Sequence, residues 1–512
     1  MSVLALALAA TLAAGPSGFV RPKTPNNCAA IRGNGELVMS HFTSLARLVE
    51  DQGVIEGLAG GSSATISMFV YESMLANPAV WSAGAGAAPL RLSFLLKSMQ
   101  EYVDIVGGSD EYKAIFGLGQ QLMSDAQAGK LQPLLAGAPA EAGAAIAQVK
   151  AAVLASGAGA LLNPEAAGFV DLPGTPVQKA FRANEMVLAL KTFGKFEASD
   201  KLIFFRPGIL NFKEVAQRIA KIGSVYAGGA DVAAWTKLLD RCAPGSKGQR
   251  WSQLTDASCR SEAHGVIAGA RGRAGTGRGQ AGVGQIAHIL VATSVLEGAE
   301  RRLWESARAR YLAGDNLARF DFHPFRGLKI GYFGARDDLA KVSSNPRGYG
   351  DPKTAKRHSL GQVAWATALS ISPAEPGLAH GQPIPGTQSV SLGGWPDLAP
   401  VLALKNLGCK RVFYVTRQGA ESPFAQGVAT NLGMTAAQQP TFYDLGRASS
   451  SFAKSIAEAD AVHCTNWNSF KANQREPMDA DAFNAPLETR NQELAKRHGA
   501  GAQPGGPPGC AK

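Results

Sequence analysis

Apolar and polar positions set two periods along the first eighty residues. Cys28 to Ile31 form a short continuous apolar run, the pattern of a buried strand. Gly33-Asn34-Gly35 follows as a tight turn. From Glu36 to Gln52 the apolar residues Leu37, Val38, Phe42, Leu45, Leu48 and Val49 recur at helical spacing, and Gly53 suits the position just past a helix C-terminus. Val54 to Ala59 reads as a second short strand and Gly60-Gly61-Ser62 as a second turn. A further apolar helix runs from about Ser63 to Asn77-Pro78. This βαβα opening predicts a parallel sheet with helices on both faces.

Beyond it, residues 80–240 are Ala-rich and mostly helical, with one strand-like stretch at Lys201 to Arg206. Residues 243–284 read as loop, containing ARGRAGTGRGQAG. Strand patterns return at His288 to Thr293, Leu328 to Phe333, Arg411 to Thr416 and Ala461 to Cys464. The tail from His498, residues 498–512, has the composition of a disordered segment. No internal repeat is visible.

Composition narrows the class. The 512 residues are 46% hydrophobic and 18% charged, which supports a real core and excludes a disordered chain or a coiled coil. The net charge of +11 permits an anionic partner, such as a phospholipid surface. Aromatics make up only 7%, and no basic stretch is interleaved with them, so nucleic acid is not an expected partner.

The apolar run from Val3 to Ala14 is shorter than the roughly 20 residues of a membrane-spanning helix. It suits a signal peptide over residues 1–14, although Met1-Ser2 carries no basic residue. Export to the periplasm or the exterior is the expectation. Six cysteines follow, and an even count behind such a leader suggests disulfides, with Cys242 and Cys259 as the best pair. No cysteine or histidine spacing fits a metal site, and no cofactor is expected.

Gly277 to Gly282 matches G-x-G-x-x-G, but it lies in the Gly/Arg stretch and precedes a strand. A dinucleotide site needs the reverse order, so a flexible loop is expected there. The stronger motif is Gly60-Gly61-Ser62-Ser63-Ala64. A serine between a short strand and a helix, flanked by small residues, is the arrangement of a nucleophile elbow. The following helix aims its N-terminal N–H groups at the site. Gly33, Asn34 and Gly35 form a second Gly-rich turn opening a helix, and their N–H groups can hold an oxyanion, joined by that of Ser63. Two such turns on consecutive parallel strands lie at one edge of the sheet.

In order and spacing, RGNGELVMSHFTSLARLVEDQGVIEGLAGGSSATIS resembles the first half of the patatin-like phospholipase family: an oxyanion loop, a helix, and a strand ending in G-x-S-x-G. VAWATALSISPAEPGLAHGQPI and SLGGWPDLAPVLALKNLGCKRVFYVT resemble the family's late Ala/Ser-rich helix and D-G-G turn. The resemblance covers roughly 28–78 and 286–470. It implies an α/β, patatin-like three-layer sandwich over residues 28–490, with a mostly parallel central sheet and a large helical insertion at about 80–285. It implies a secreted serine acyl hydrolase acting on lipid or phospholipid esters through a Ser-Asp dyad.

Two positions depart from the family pattern. Glu36-Leu37-Val38 stand where it has a basic residue and a final Gly, and Leu392 stands where it has the dyad Asp. The nearest carboxylate is Asp397, either the base for Ser62 or the N-cap of the helix that follows. His358 and His380 flank this region as alternative bases. The alternative to an enzyme is a catalytically inactive patatin-like protein that binds lipid or protein, for which Leu392 is the ground.

Overall fold

The computed structural model describes residues 18–33, 38–110, 113, 151, 158–169, 171–192, 204–208, 210–243, 257–315, 329–344, 358–376, 379–397, 399–417 and 458–465. The expected leader, the C-terminal tail, Asn34, Gly35, Cys510 and most of residues 110–157 lie outside them.

The chain opens as its pattern predicts. Strand β1 (Asn27–Ile31) leads to helix α1 (Met39–Gln52), strand β2 (Gly57–Gly61) and helix α2 (Ala64–Leu75). Helix α3 (Phe212–Tyr226) follows within the helical region, and then strands β3 (His288–Val295), β4 (Lys329–Gly334) and β5 (His358–Ser359). Helix α4 (Trp365–Ile371) precedes a small hairpin of β6 (Gln382–Pro383) and β7 (Val390–Ser391). Helix α5 (Val401–Leu407) and strands β8 (Arg411–Arg417) and β9 (Ala461–Thr465) come last along the chain.

Seven strands form one sheet in the order β5-β4-β3-β2-β1-β8-β9. β1, β2, β3, β8 and β9 run parallel, with Ile31 level with Gly60 on one side and with Val415 on the other. β4 is antiparallel to β3, and β5 is parallel to β4. The fold is therefore α/β with a mostly parallel sheet.

Period-two alternation divides the strands between two cores. Ala29, Ile31, Leu58, Ile289, Val291, Phe413 and Val415 face one cluster, which includes residues of α1, α2 and α3. Cys28, Ala30, Ala59, Leu290, Ala292, Val412 and Tyr414 face the other, with Leu339 and Val342 of helix Arg336–Ser344 and with Ala403, Leu404 and Leu407 of α5. Helices thus cover both faces, an arrangement compatible with a three-layer sandwich.

Described helices of the helical region add to the core on the first face. Ile219, Tyr226, Trp235, Leu238 and Ile267 belong to the same cluster as Ile31 and Val291. That is why α2 is apolar all round: eleven of its twelve residues are buried between the sheet and the outer helices. Its one carboxylate, Glu72, is fully buried. Glu72 accepts from the backbone N–H groups of Ile286 (2.9 Å) and Ala287 (3.2 Å), the Trp365 indole (2.5 Å) and Arg278 Nη2 (2.8 Å).

Three expectations need correction. Residues 204–206 form a turn, so the strand expected at Lys201 to Arg206 is absent from its described part. Residues 257–273 are a helix, Ala257–Arg273, not a loop. It buries Cys259, Ala263, Ile267 and Ala270 at helical spacing, and the Cys242–Cys259 disulfide ties it to helix Val232–Cys242. The G-x-G-x-x-G segment is a packed helical turn, Gly277–Gln280, held by the Arg278–Glu72 pair, and a Cβ on Gly279 would lie 2.7 Å from that of Ala220. A second disulfide, Cys28–Cys409, joins the start of β1 to the approach of β8.

Candidate active site

The C-terminal ends of β1 and β2 lie side by side, so Gly33, just past β1, and the Gly60-Gly61-Ser62 turn lie at the same edge of the sheet. Gly33 follows β1 and is buried, and the backbone N–H of Arg32 continues the pairing with Val415 (3.0 Å).

Ser62 sits at the apex of the turn from β2 to α2. Among the described residues it is the one non-glycine with positive φ, at 56°. Left-handed backbone costs an L-residue about 1–2 kcal/mol, so the surrounding structure must hold it. The small neighbours make that possible. A Cβ on Gly60 would lie 2.6 Å from the Ala64 Cβ and 2.9 Å from the Ile31 carbonyl oxygen, and one on Gly61 would collide with the Gly394 carbonyl. Ser63 is the helix N-cap with right-handed dihedrals, and the Thr65 N–H closes the turn on the Ser62 carbonyl (3.0 Å).

The Ser62 hydroxyl donates to Glu375 Oε1. Both residues are buried, 2% and 1% exposed, in a setting where a carboxylate without a partner would be costly. Glu375 arrives on the turn after α4. Pro373 lacks the N–H to continue that helix. The turn is then closed by the Glu375 N–H on the Pro373 carbonyl (2.9 Å) and the Ala379 N–H on the Glu375 carbonyl (2.8 Å).

The Gly393-Gly394 turn also reaches the elbow. Its backbone is fastened to the end of β3 by the Ser294 N–H on the Gly393 carbonyl (2.8 Å) and the Leu392 N–H on Ser294 Oγ (2.6 Å). Gly393 has φ +94°, and a Cβ there would lie 3.0 Å from Glu375 Cα. Gly394 lies directly against the Ser62 backbone nitrogen. Leu392 is a buried apolar side chain.

Asp397 is not the carboxylate on Ser62. It accepts from the hydroxyl of Tyr332, whose ring belongs to the core on the opposite face of the sheet. Nor does it cap α5, where Pro400 holds the N-cap position. Among the described residues no histidine bonds Ser62. His358 opens β5 in the sheet, and His380 meets Asn163 Nδ2 (3.2 Å) and lies 3.9 Å from Glu165. Burial holds the half-buried His380 imidazole below the usual histidine pKa, partly opposed by the Glu165 carboxylate. Sequence reasoning missed Glu375, although it was marked: one carboxylate between Pro373 and Pro376 in an otherwise apolar stretch.

Among the described residues no group of histidine, cysteine and carboxylate side chains is placed to hold a metal ion, and no helix is long and apolar enough to cross a membrane. A serine hydroxyl held on a buried carboxylate, at the start of a helix and beside a Gly-rich turn, is equipped for nucleophilic attack on a carbonyl. The chain matches no family model, no curated protein and no solved structure.

Proposed function

We propose that the chain is a serine acyl hydrolase working through a Ser62–Glu375 dyad, with lipid or phospholipid esters as substrates. The observation that carries the reading is the Ser62 hydroxyl on the Glu375 carboxylate at a strained, positive-φ elbow. Ser62 Oγ attacks the ester carbonyl while Glu375 takes its proton. The oxyanion is held by N–H groups of Ser63 and of the turn begun by Gly33. Glu375 returns the proton to the departing alkoxide and leaves an acyl-Ser62. A water, deprotonated by Glu375, then attacks the acyl group, and the carboxylic acid departs as Ser62 regains its proton.

The resemblance to patatin-like phospholipases supports the lipid ester, and the net charge of +11 suits an anionic bilayer. In this reading the carboxylate comes from the turn after α4, not from the D-G-G position. Glu375 supplies the group whose loss at Leu392 was the ground for a non-catalytic protein. The two disulfides support an exported chain, since such bridges persist in oxidising compartments.

The test is covalent labelling by a fluorophosphonate, together with hydrolysis of a short-chain nitrophenyl ester and of anionic phospholipid vesicles. The wild type should label at Ser62 and turn over ester, and Ser62→Ala should do neither. A folded wild type that neither labels nor hydrolyses any of these esters overturns the reading.

A further inference from the structure

We infer that Ser372 is a positioning residue that holds the nucleophile elbow in its reactive backbone conformation; the inference rests on the dyad reading. Ser372 is fully buried at the end of α4, three residues before Glu375. Its hydroxyl accepts from the Ser62 backbone N–H (2.9 Å) and from Thr65 Oγ1 (2.9 Å), and it donates to the Ala292 carbonyl on β3 (2.7 Å). A serine hydroxyl has one proton and two lone pairs, and all three are used here. Its orientation is therefore fixed from three sides. The Ser372 carbonyl also accepts the Gly394 N–H (2.7 Å). One residue thus fastens the nucleophile's backbone, the first turn of α2, strand β3 and the Gly-Gly turn.

Two consequences follow for the chemistry. The turn 372–375 grips Ser62 twice, at its N–H through Ser372 and at its Oγ through Glu375, so nucleophile and base move as one body. The Ser62 N–H is also committed to Ser372 and does not point at an oxyanion.

Ser372→Ala removes the grip on the backbone and leaves Glu375 in place. Misplacement of a reacting group by about 1 Å can cost roughly 10²-fold in rate. The expected result is a kcat for the nitrophenyl ester about 10²-fold below wild type at nearly unchanged KM, with fluorophosphonate labelling slowed in proportion. A purely structural role would lower the amount of folded protein but not the rate per folded molecule. Rates are therefore referred to the folded fraction from circular dichroism. Should the alanine variant fail to fold, Ser372→Cys keeps the volume with a much weaker acceptor and should show the same loss. A folded variant with kcat within about threefold of wild type, or with the loss carried in KM, overturns the role. An inert wild type overturns the dyad reading itself and this inference with it. An active wild type beside an equally active variant overturns this inference alone.

Discussion

Glu375→Gln and Asp397→Asn separate the two carboxylates by what each touches. Glutamine is nearly isosteric with glutamate, and its amide oxygen can still accept from the Ser62 hydroxyl, so the nucleophile stays in place. An amide cannot take the proton. Loss of a positioned base costs typically 10²–10⁴ in rate, or about 2.7–5.5 kcal/mol of barrier. The Glu375 variant should fall by that factor in kcat, with the elbow intact and the fold unchanged. Asp397 bonds the Tyr332 hydroxyl, and an asparagine can turn its carbonyl toward the same donor. The change there is from a charged to a neutral acceptor, worth about 1 kcal/mol of stability and nothing in kcat. The assay is initial rates on a nitrophenyl ester, each variant paired with a urea unfolding curve. Near-normal turnover by Glu375→Gln, or an equal collapse in Asp397→Asn, refutes the assignment of the base.

Glu72→Gln should destabilise the fold by about 3 kcal/mol, because it strips the partly buried Arg278 of its ion and sets an amide N–H against the Trp365 indole. The urea midpoint of the variant, followed by tryptophan emission, measures this; an unchanged midpoint at equal slope would mean the pair is inert. A pH effect follows from His380, whose imidazole is held below its usual pKa in the folded chain. The unfolded chain then binds the proton first, so stability falls as pH drops through the usual histidine value of about 6.5. His380→Asn should flatten that part of the dependence of the urea midpoint on pH, and a slope identical to wild type would contradict it.

The sheet was legible wherever buried strands form continuous apolar runs. The expected strands at His288, Arg411 and Ala461 end within two residues of β3, β8 and β9. The direction of β4 was not, because an apolar run has no polarity along the chain, and Lys329 to Gly334 enters antiparallel to β3. Helix Ala257–Arg273 was hidden for a different reason. Gly265, Gly269 and Gly272 each weaken helix propensity by about 1 kcal/mol relative to alanine. Its buried face is built from Cys259, Ala263, Ile267 and Ala270, so only one large aliphatic residue marks the stripe. Packing against the shared core and the tie to Cys242 offset what propensity lacks.

At the elbow, Ser62 and its glycines were legible because a sharp turn restricts residue type at each position. The carboxylate on its hydroxyl was not, since a carboxylate needs only to arrive, and two turns arrive. The turn 372–375 and the turn 391–394 both lie against Ser62, close enough that a Cβ on Gly393 would lie 3.0 Å from Glu375 Cα. In this structure the carboxylate on that hydroxyl comes from the turn after α4. Leu392 can then be apolar without emptying the site. Asp397, though close in sequence to the Gly-Gly turn, lies beyond Trp395 and Pro396, where the chain has carried it to Tyr332 and the core of the opposite face. Distance along the chain pointed to Asp397; the better guide was the rarity of a lone glutamate in a segment that must be buried. Such a residue is seldom fully enclosed without a partner, and here Ser62 donates to its Oε1.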